Sequence, residues 1–138
     1  MSTKEAMLYK KRDDNAVDCY LCSHRCRIKP GKLGFCCIRE NIDGVLYTHT
    51  FGRLIAQHVD PIEKKPFYQV LPGSTSYSVA TIGCNFRCDF CQNWQISQIH
   101  GSGGTFKQGM KCTPQEIVDS ALEAGCESAR HPMKHAGE

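Results

Sequence analysis

The chain of 138 residues is long enough for one ordinary domain or two small ones. Its 17 Lys and Arg against 14 Asp and Glu leave a formal charge of +3, and no basic block exceeds three residues, so a phosphate-binding stripe and a nucleic-acid partner are not expected. Apolar residues at 41% exclude wholesale disorder. No stretch approaches the roughly 18 apolar residues of a membrane span, and the polar segment from Met1 to Asp18 has no apolar export signal.

The unusual figure is cysteine, 10 residues. Without an export signal, that number points to metal before disulfide and to a reducing, cytoplasmic setting. A disulfide-stapled secreted domain is the competing reading. Cys19, Cys22, Cys26, Cys36 and Cys37 form a first group, Cys84, Cys88 and Cys91 a second, and Cys112 and Cys126 stand alone. The spacing Cys19-x2-Cys22 is that of a metal knuckle, and Cys26 and Cys36 complete a set of four thiolates, with His24 able to replace one. Structural zinc, a second iron–sulfur cluster and unligated thiols all stay open for this set. Cys37, beside Cys36, reads as a spare thiol.

Asn41 to Tyr47 reads as a hairpin with Asp43-Gly44 at its turn. Asp60 to Gly73 is mostly connector, and from charge alone Glu63-Lys64-Lys65 is a solvated patch. His49, His58 and His100 have no partner at ligand spacing and read as surface or satisfied core residues. Ser76 to Ile82 predicts a strand of β-branched and aromatic residues ended by Gly83. The second cysteine group therefore sits on a loop beyond a strand's carboxyl end, where α/β folds build active sites. Its spacing, Cys84-x3-Cys88-x2-Cys91, offers three thiolates to a cubane cluster and leaves the fourth iron open, which a four-cysteine cluster does not. A zinc knuckle or buried thiols are the plainer alternatives. Trp94 reads as packing.

Gly101 to Gly104 predicts a flexible joint. A helix follows, with Thr113 as N-cap, Pro114 in its first turn, Glu116 completing a capping box, Ile117, Val118, Ala121 and Leu122 as its apolar stripe, and Gly125 beyond its end. Cys112 and Cys126 read as small buried apolar residues. After Cys126 no strand pattern is visible, and 129–138 reads as an atypical tail.

Cys84, Cys88, Phe90 and Cys91 resemble the cysteine motif of the radical S-adenosylmethionine superfamily. Further residues resemble one subgroup, the radical enzyme of the AmmeMemoRadiSam system, related to pyruvate formate-lyase activating enzymes. They are Cys19-x2-Cys22-x-His24-x-Cys26, Gly31-x2-Gly34-x-Cys36-x2-Arg39-x-Asn41, Asp60 to Pro66, and Gly83 to Trp94. The resemblance implies a [4Fe–4S] cluster on Cys84, Cys88 and Cys91. It implies reductive cleavage of S-adenosylmethionine to a 5′-deoxyadenosyl radical, with Phe90 at the cofactor; Asn93, like Gln92, is placed there only by its closeness to Cys91. It also implies a protein or small-molecule substrate and a flavodoxin- or ferredoxin-type electron donor. The expected fold is α/β: an N-terminal cysteine-rich β/loop segment and connector over 1–75, then the first βα units of a partial (β/α) barrel over 76–128. Chain after Thr75 suffices for about two units of roughly 30 residues. The resemblance therefore implies a C-terminally truncated barrel with an exposed sheet edge, prone to aggregation or dependent on a partner. A catalytically inactive metal-binding fragment is the alternative.

Overall fold

Asp43 and Gly44 both take positive φ, 50° and 84°, the two-residue turn whose twist matches that of the strands it joins. The hairpin thus forms where its sequence places it, with Ile42 facing Val45. The structure is a computed structural model that describes residues 4–98 and 109–130. They form two units: one drawn from the chain up to Phe51 and again from Ile82, the other from Gly52–Thr81 and again from Gly109. The second cysteine group therefore belongs to the same unit as the first, and the unit boundaries do not follow the linear division at residue 75.

The first unit contains β1 (Lys4–Glu5), β2 (Tyr9–Lys11), β3 (Val17–Cys19), β4 (Arg27–Ile28), β5 (Arg39–Ile42), β6 (Val45–Thr48) and a one-turn helix, α1 (Trp94–Ser97). Its strands form two antiparallel sheets, ordered β1-β6-β5 and β2-β3-β4. Val17 and Leu46, both fully buried, anchor a core with Ala6, Cys19 and Ile28. Asn41 is also fully buried. Its amide nitrogen donates to the carbonyls of Asn15 and Ile28, both at 2.8 Å, and its oxygen accepts from Gly44 N at 2.8 Å. A buried amide with its groups paired in this way costs little and ties the hairpin turn to the neighbouring sheet.

The second unit contains β7 (Arg53–Leu54), β8 (Ala56–Pro61), β9 (Thr75–Ala80), β10 (Met110–Lys111), α2 (Pro114–Glu123) and β11 (Ser128–Arg130). β9 is central, antiparallel to β8 and parallel to β11, and β7 pairs with β10. Successive side chains of a strand point to opposite faces. Tyr77 and Val79 pack with Ala121 of α2, Cys126 and Leu54, whereas Ser76 and Ser78 take the other face and are also buried. α2 begins with the expected capping box: Thr113 Oγ1 accepts from Glu116 N at 3.2 Å, and Glu116 Oε2 accepts from Thr113 N at 2.6 Å. Its apolar stripe is buried on one side only. Ala121 is buried and Ile117 partly so, but Val118 and Leu122 are 48% and 68% exposed.

Two expectations are corrected. Ser128–Arg130 is a strand, not the start of an atypical tail, and its register sets Ser128 against Ser76 and Ala129 against Tyr77. Ser-Ala-Arg carries no β pattern of its own, so the pairing with β9 decides its conformation. The connector, in turn, is not a solvated patch throughout. Asp60 lies next to the end of the long strand β8, and Lys65 is only 9% exposed. Lys65 Nζ donates to Asp60 Oδ2 at 2.6 Å, and Ser78 Oγ donates to the same oxygen at 2.8 Å. Cys126 is buried as expected and Cys112 partly. His49 is buried with Nε2 at 2.7 Å from Glu40 Oε2, and His58 is exposed. His100, the joint at Gly101–Gly104 and the tail from His131 lie outside the described residues. Among the described residues no helix is long and apolar enough to cross a membrane.

Candidate functional site

The loop after β9 turns sharply because Gly83 has φ +88°. Gly83 N donates to Ile96 O at 2.7 Å, which ties the loop's start to α1. A Cβ at Gly83 would lie 2.3 Å from Ile38 Cγ2 and 3.2 Å from the Cys36 carbonyl. Strained φ and overpacking act together in Gly83→Ala, which is expected to lower stability by about 2–3 kcal/mol. A shift of the urea midpoint at constant slope measures it; an unchanged midpoint would show that the loop yields freely.

Cys84, Cys88 and Cys91 are half-buried free thiols on this loop. Cys84 Sγ accepts from Phe86 N at 3.4 Å, Cys91 Sγ lies 3.3 Å from Ser97 Oγ, and Gln98 Nε2 donates to Cys88 O at 3.1 Å. Around the thiols are three exposed aromatic rings, Phe86 (49%), Phe90 (87%) and Trp94 (60%). Phe90 stands in solvent at the loop tip, and Asn93 is the exposed N-cap of α1 without a side-chain capping bond.

Cys19, Cys22, Cys26 and Cys36 line one small cavity of about 20 Å³, walled by apolar groups including Ile28 and Ile38. Burial pushes the Cys36 thiol pKa up, against the pull of the Ile38 and Arg39 backbone N–H groups. Arg39 is itself buried; its Nη1 donates to Met7 O at 2.9 Å and reaches Cys19 Sγ at 3.5 Å. Asn85 is 4% exposed and lines the same cavity, and its Oδ1 has no hydrogen-bond partner. Cys37, at φ +59°, turns aside, and its Sγ lies 3.6 Å from Phe35 O. Among the described residues no three His, Cys, Asp or Glu side chains converge as ligands of a single ion. The fold therefore gathers the four N-terminal cysteines around one cavity without closing them on a point.

His24, the alternative ligand of that set, turns one ring nitrogen toward the other cysteine loop. Its Nε2 lies 2.8 Å from the Asn85 carbonyl, and its ring stacks on Phe35 at 4.0 Å between centroids. The Arg87 guanidinium lies over Phe35 at 4.1 Å. Phe35, Ile38, Asn85 and Arg87 were not singled out as site residues by the spacing of the cysteines. The signal that could have found Asn85 and Arg87 was position alone, between Cys84 and Cys88.

No family model matches the chain, and no solved structure matches it. It is 46% identical over 123 residues to the uncharacterized protein MJ0808 of Methanocaldococcus jannaschii, a match covering 89% of this chain and 36% of that protein. It is 34% identical over 84 residues to the uncharacterized protein MJ0674 of the same organism, covering 60% of this chain and 20% of that protein. The matched segment thus spans about a third of the first relative's length and a fifth of the second's.

Proposed function

We propose that this chain carries the cluster-binding segment of a radical S-adenosylmethionine protein. The observation that carries the reading is the loop of Cys84, Cys88 and Cys91: three free thiols directly after the first strand of a parallel β9–α2–β11 unit. This donor chemistry fits a [4Fe–4S] cluster. A cubane takes each thiolate on a different iron, so its ligands need not converge on one point as those of a single ion must. When bound, the cluster supplies the electron that cleaves S-adenosylmethionine reductively, for a protein or small-molecule substrate and with a flavodoxin- or ferredoxin-type donor. The chain's own part is to hold three irons and leave one open, and to offer Phe90 and Asn93 as neighbours of the cofactor. To act as ligands these thiols must stay reduced, and a reducing, cytoplasmic setting is part of this reading. Anaerobic reconstitution with ferrous iron and sulfide tests the reading. The expected product is brown, holds iron and sulfide in equal amounts, and changes its reduced-state EPR signal on adding S-adenosylmethionine. Colourless protein without sulfide would overturn it.

For the N-terminal set we propose zinc. Four cysteines around one small apolar cavity make a closed donor set of the kind that structural zinc takes. Uptake requires the four sulfurs to rotate inward to a tetrahedron, and the buried apolar wall strengthens binding once they do. One zinc per chain is expected in protein purified without added iron, falling several-fold in Cys22→Ser and Cys36→Ser. Zinc counting by atomic emission checks this. Zinc uptake with no iron bound at Cys84, Cys88 and Cys91 would favour the alternative, a non-catalytic metal-binding segment.

A further inference from the structure

His24 lies between Cys22 and Cys26 in the sequence, yet its Nε2 reaches the loop of the other cysteine group. We infer that His24, backed by Phe35, is a positioning residue for the Cys84–Cys91 loop, so that the N-terminal segment sets the geometry in which that loop presents its thiols. The inference deepens the iron–sulfur reading and rests on it for cluster loading.

The hydrogen bond from His24 Nε2 to the Asn85 carbonyl is 2.8 Å long. A carbonyl oxygen can only accept, so Nε2 carries the proton and cannot serve as a metal ligand while the contact lasts. The bond grips the loop by its backbone, one residue after Cys84. His24 is itself held by its stack on Phe35, 4.0 Å between centroids at an interplanar angle of 26°. Arg87 lies over the same ring at 4.1 Å. Two groups that close to one ring cannot share a face, so Phe35 is sandwiched between His24 and Arg87, and the loop is gripped a second time, one residue before Cys88. The third grip is at Gly83, whose missing Cβ lets Ile38 reach the backbone. Positions 83, 85 and 87 are thus held in turn by Ile38, His24 and Phe35. A loop that must offer three thiolates at once loses less conformational freedom on binding when it is held beforehand.

The test compares wild type, His24→Ala and His24→Gln as full chains. In reduced, metal-loaded-as-purified protein kept anaerobic, the alkylation rates of Cys84 and Cys88 are read by peptide mass spectrometry. His24→Ala is expected to speed both by roughly threefold to tenfold, the range that one hydrogen bond can supply. His24→Gln still offers an N–H to the Asn85 carbonyl and should return both rates toward wild type, and Cys112, in the other unit, should not change in either variant. After reconstitution, His24→Ala should retain several-fold less iron and show an altered reduced-state EPR signal, with its zinc content unchanged. Equal alkylation rates in His24→Ala and wild type would overturn the inference. So would loss of zinc in both variants, which would make His24 a ligand of the N-terminal set. Wild-type protein that binds no iron defeats the iron–sulfur reading alone, because the alkylation rates still decide the role of His24.

Discussion

Replacing any one of Cys84, Cys88 and Cys91 by alanine is expected to reduce the iron retained after reconstitution and desalting by about tenfold or more. Weakening the groups that merely support a metal ligand typically costs about 10–100-fold in affinity, and deleting the ligand itself removes a covalent iron–thiolate bond. The three positions should behave alike, because a cubane with one open iron uses each thiolate once and has no spare. Cys112→Ala and Cys126→Ala provide the contrast. Cys126 packs with Tyr77 and Val79, and Cys112 lies against the same cluster, so their loss should lower stability modestly and leave iron content unchanged. Iron and sulfide assays, with the visible absorption of the cluster, read the outcome. Iron content near wild type in all three loop variants would remove the assignment. The same loss in Cys37→Ala would point instead to a general effect of thiol deletion, since Cys37 turns toward Phe35 O at 3.6 Å.

Local chemistry makes part of this molecule legible in its sequence. Thr113 and Glu116 announce the capping box, Asp43-Gly44 the hairpin turn, and Gly83 the bend that follows β9, because each rests on a few neighbouring residues whose conformational preferences agree. The strand itself stops at Ala80 rather than Ile82. What depended on distant partners did not show. Ser128–Arg130 became a strand through pairing with Ser76–Ser78, and nothing within Ser-Ala-Arg encodes that. The cysteine spacing identified two candidate donor sets. It could not show that Asn85, a neighbour of one set, lines the cavity of the other, nor that His24 reaches across a separation of 61 residues. Those contacts join two stretches that lie far apart in the chain and fold into one unit. Metal ligands are recognisable by residue type, whereas the residues that hold them in place are ordinary in composition and are recognised only by where they end up.

The connector supplies the second large expectation, an acid-sensitive buried pair. Asp60 is 8% exposed and Lys65 9%. The Asp60 carboxyl is held far below the usual carboxylate range by hydrogen bonds from Lys64, Lys65 and Ser78, against the opposing effect of burial. Lys64 is 68% exposed and its pairing with Asp60, at 2.8 Å, is screened by water. Lys65, at 2.6 Å and 10% side-chain exposure, is not. Asp60→Ala takes the carboxylate away from a buried ammonium and a buried hydroxyl, and losing hydrogen bonds to a charged group in this way costs about 1.5–3 kcal/mol. Lys64→Ala should cost less than about 1 kcal/mol. The pH dependence has a definite sign. A carboxyl whose folded pKa lies below its unfolded value of about 3.9 contributes stability that is fully present above that value and is lost progressively as pH falls toward the folded pKa. Wild-type stability should therefore fall on acidification below about pH 4 more steeply than that of Asp60→Ala, which has already lost this contribution. Urea unfolding followed by circular dichroism across this range measures both curves. Parallel curves would show that Asp60 titrates as an ordinary carboxyl, and would return the connector to the solvated loop that its charges alone suggest.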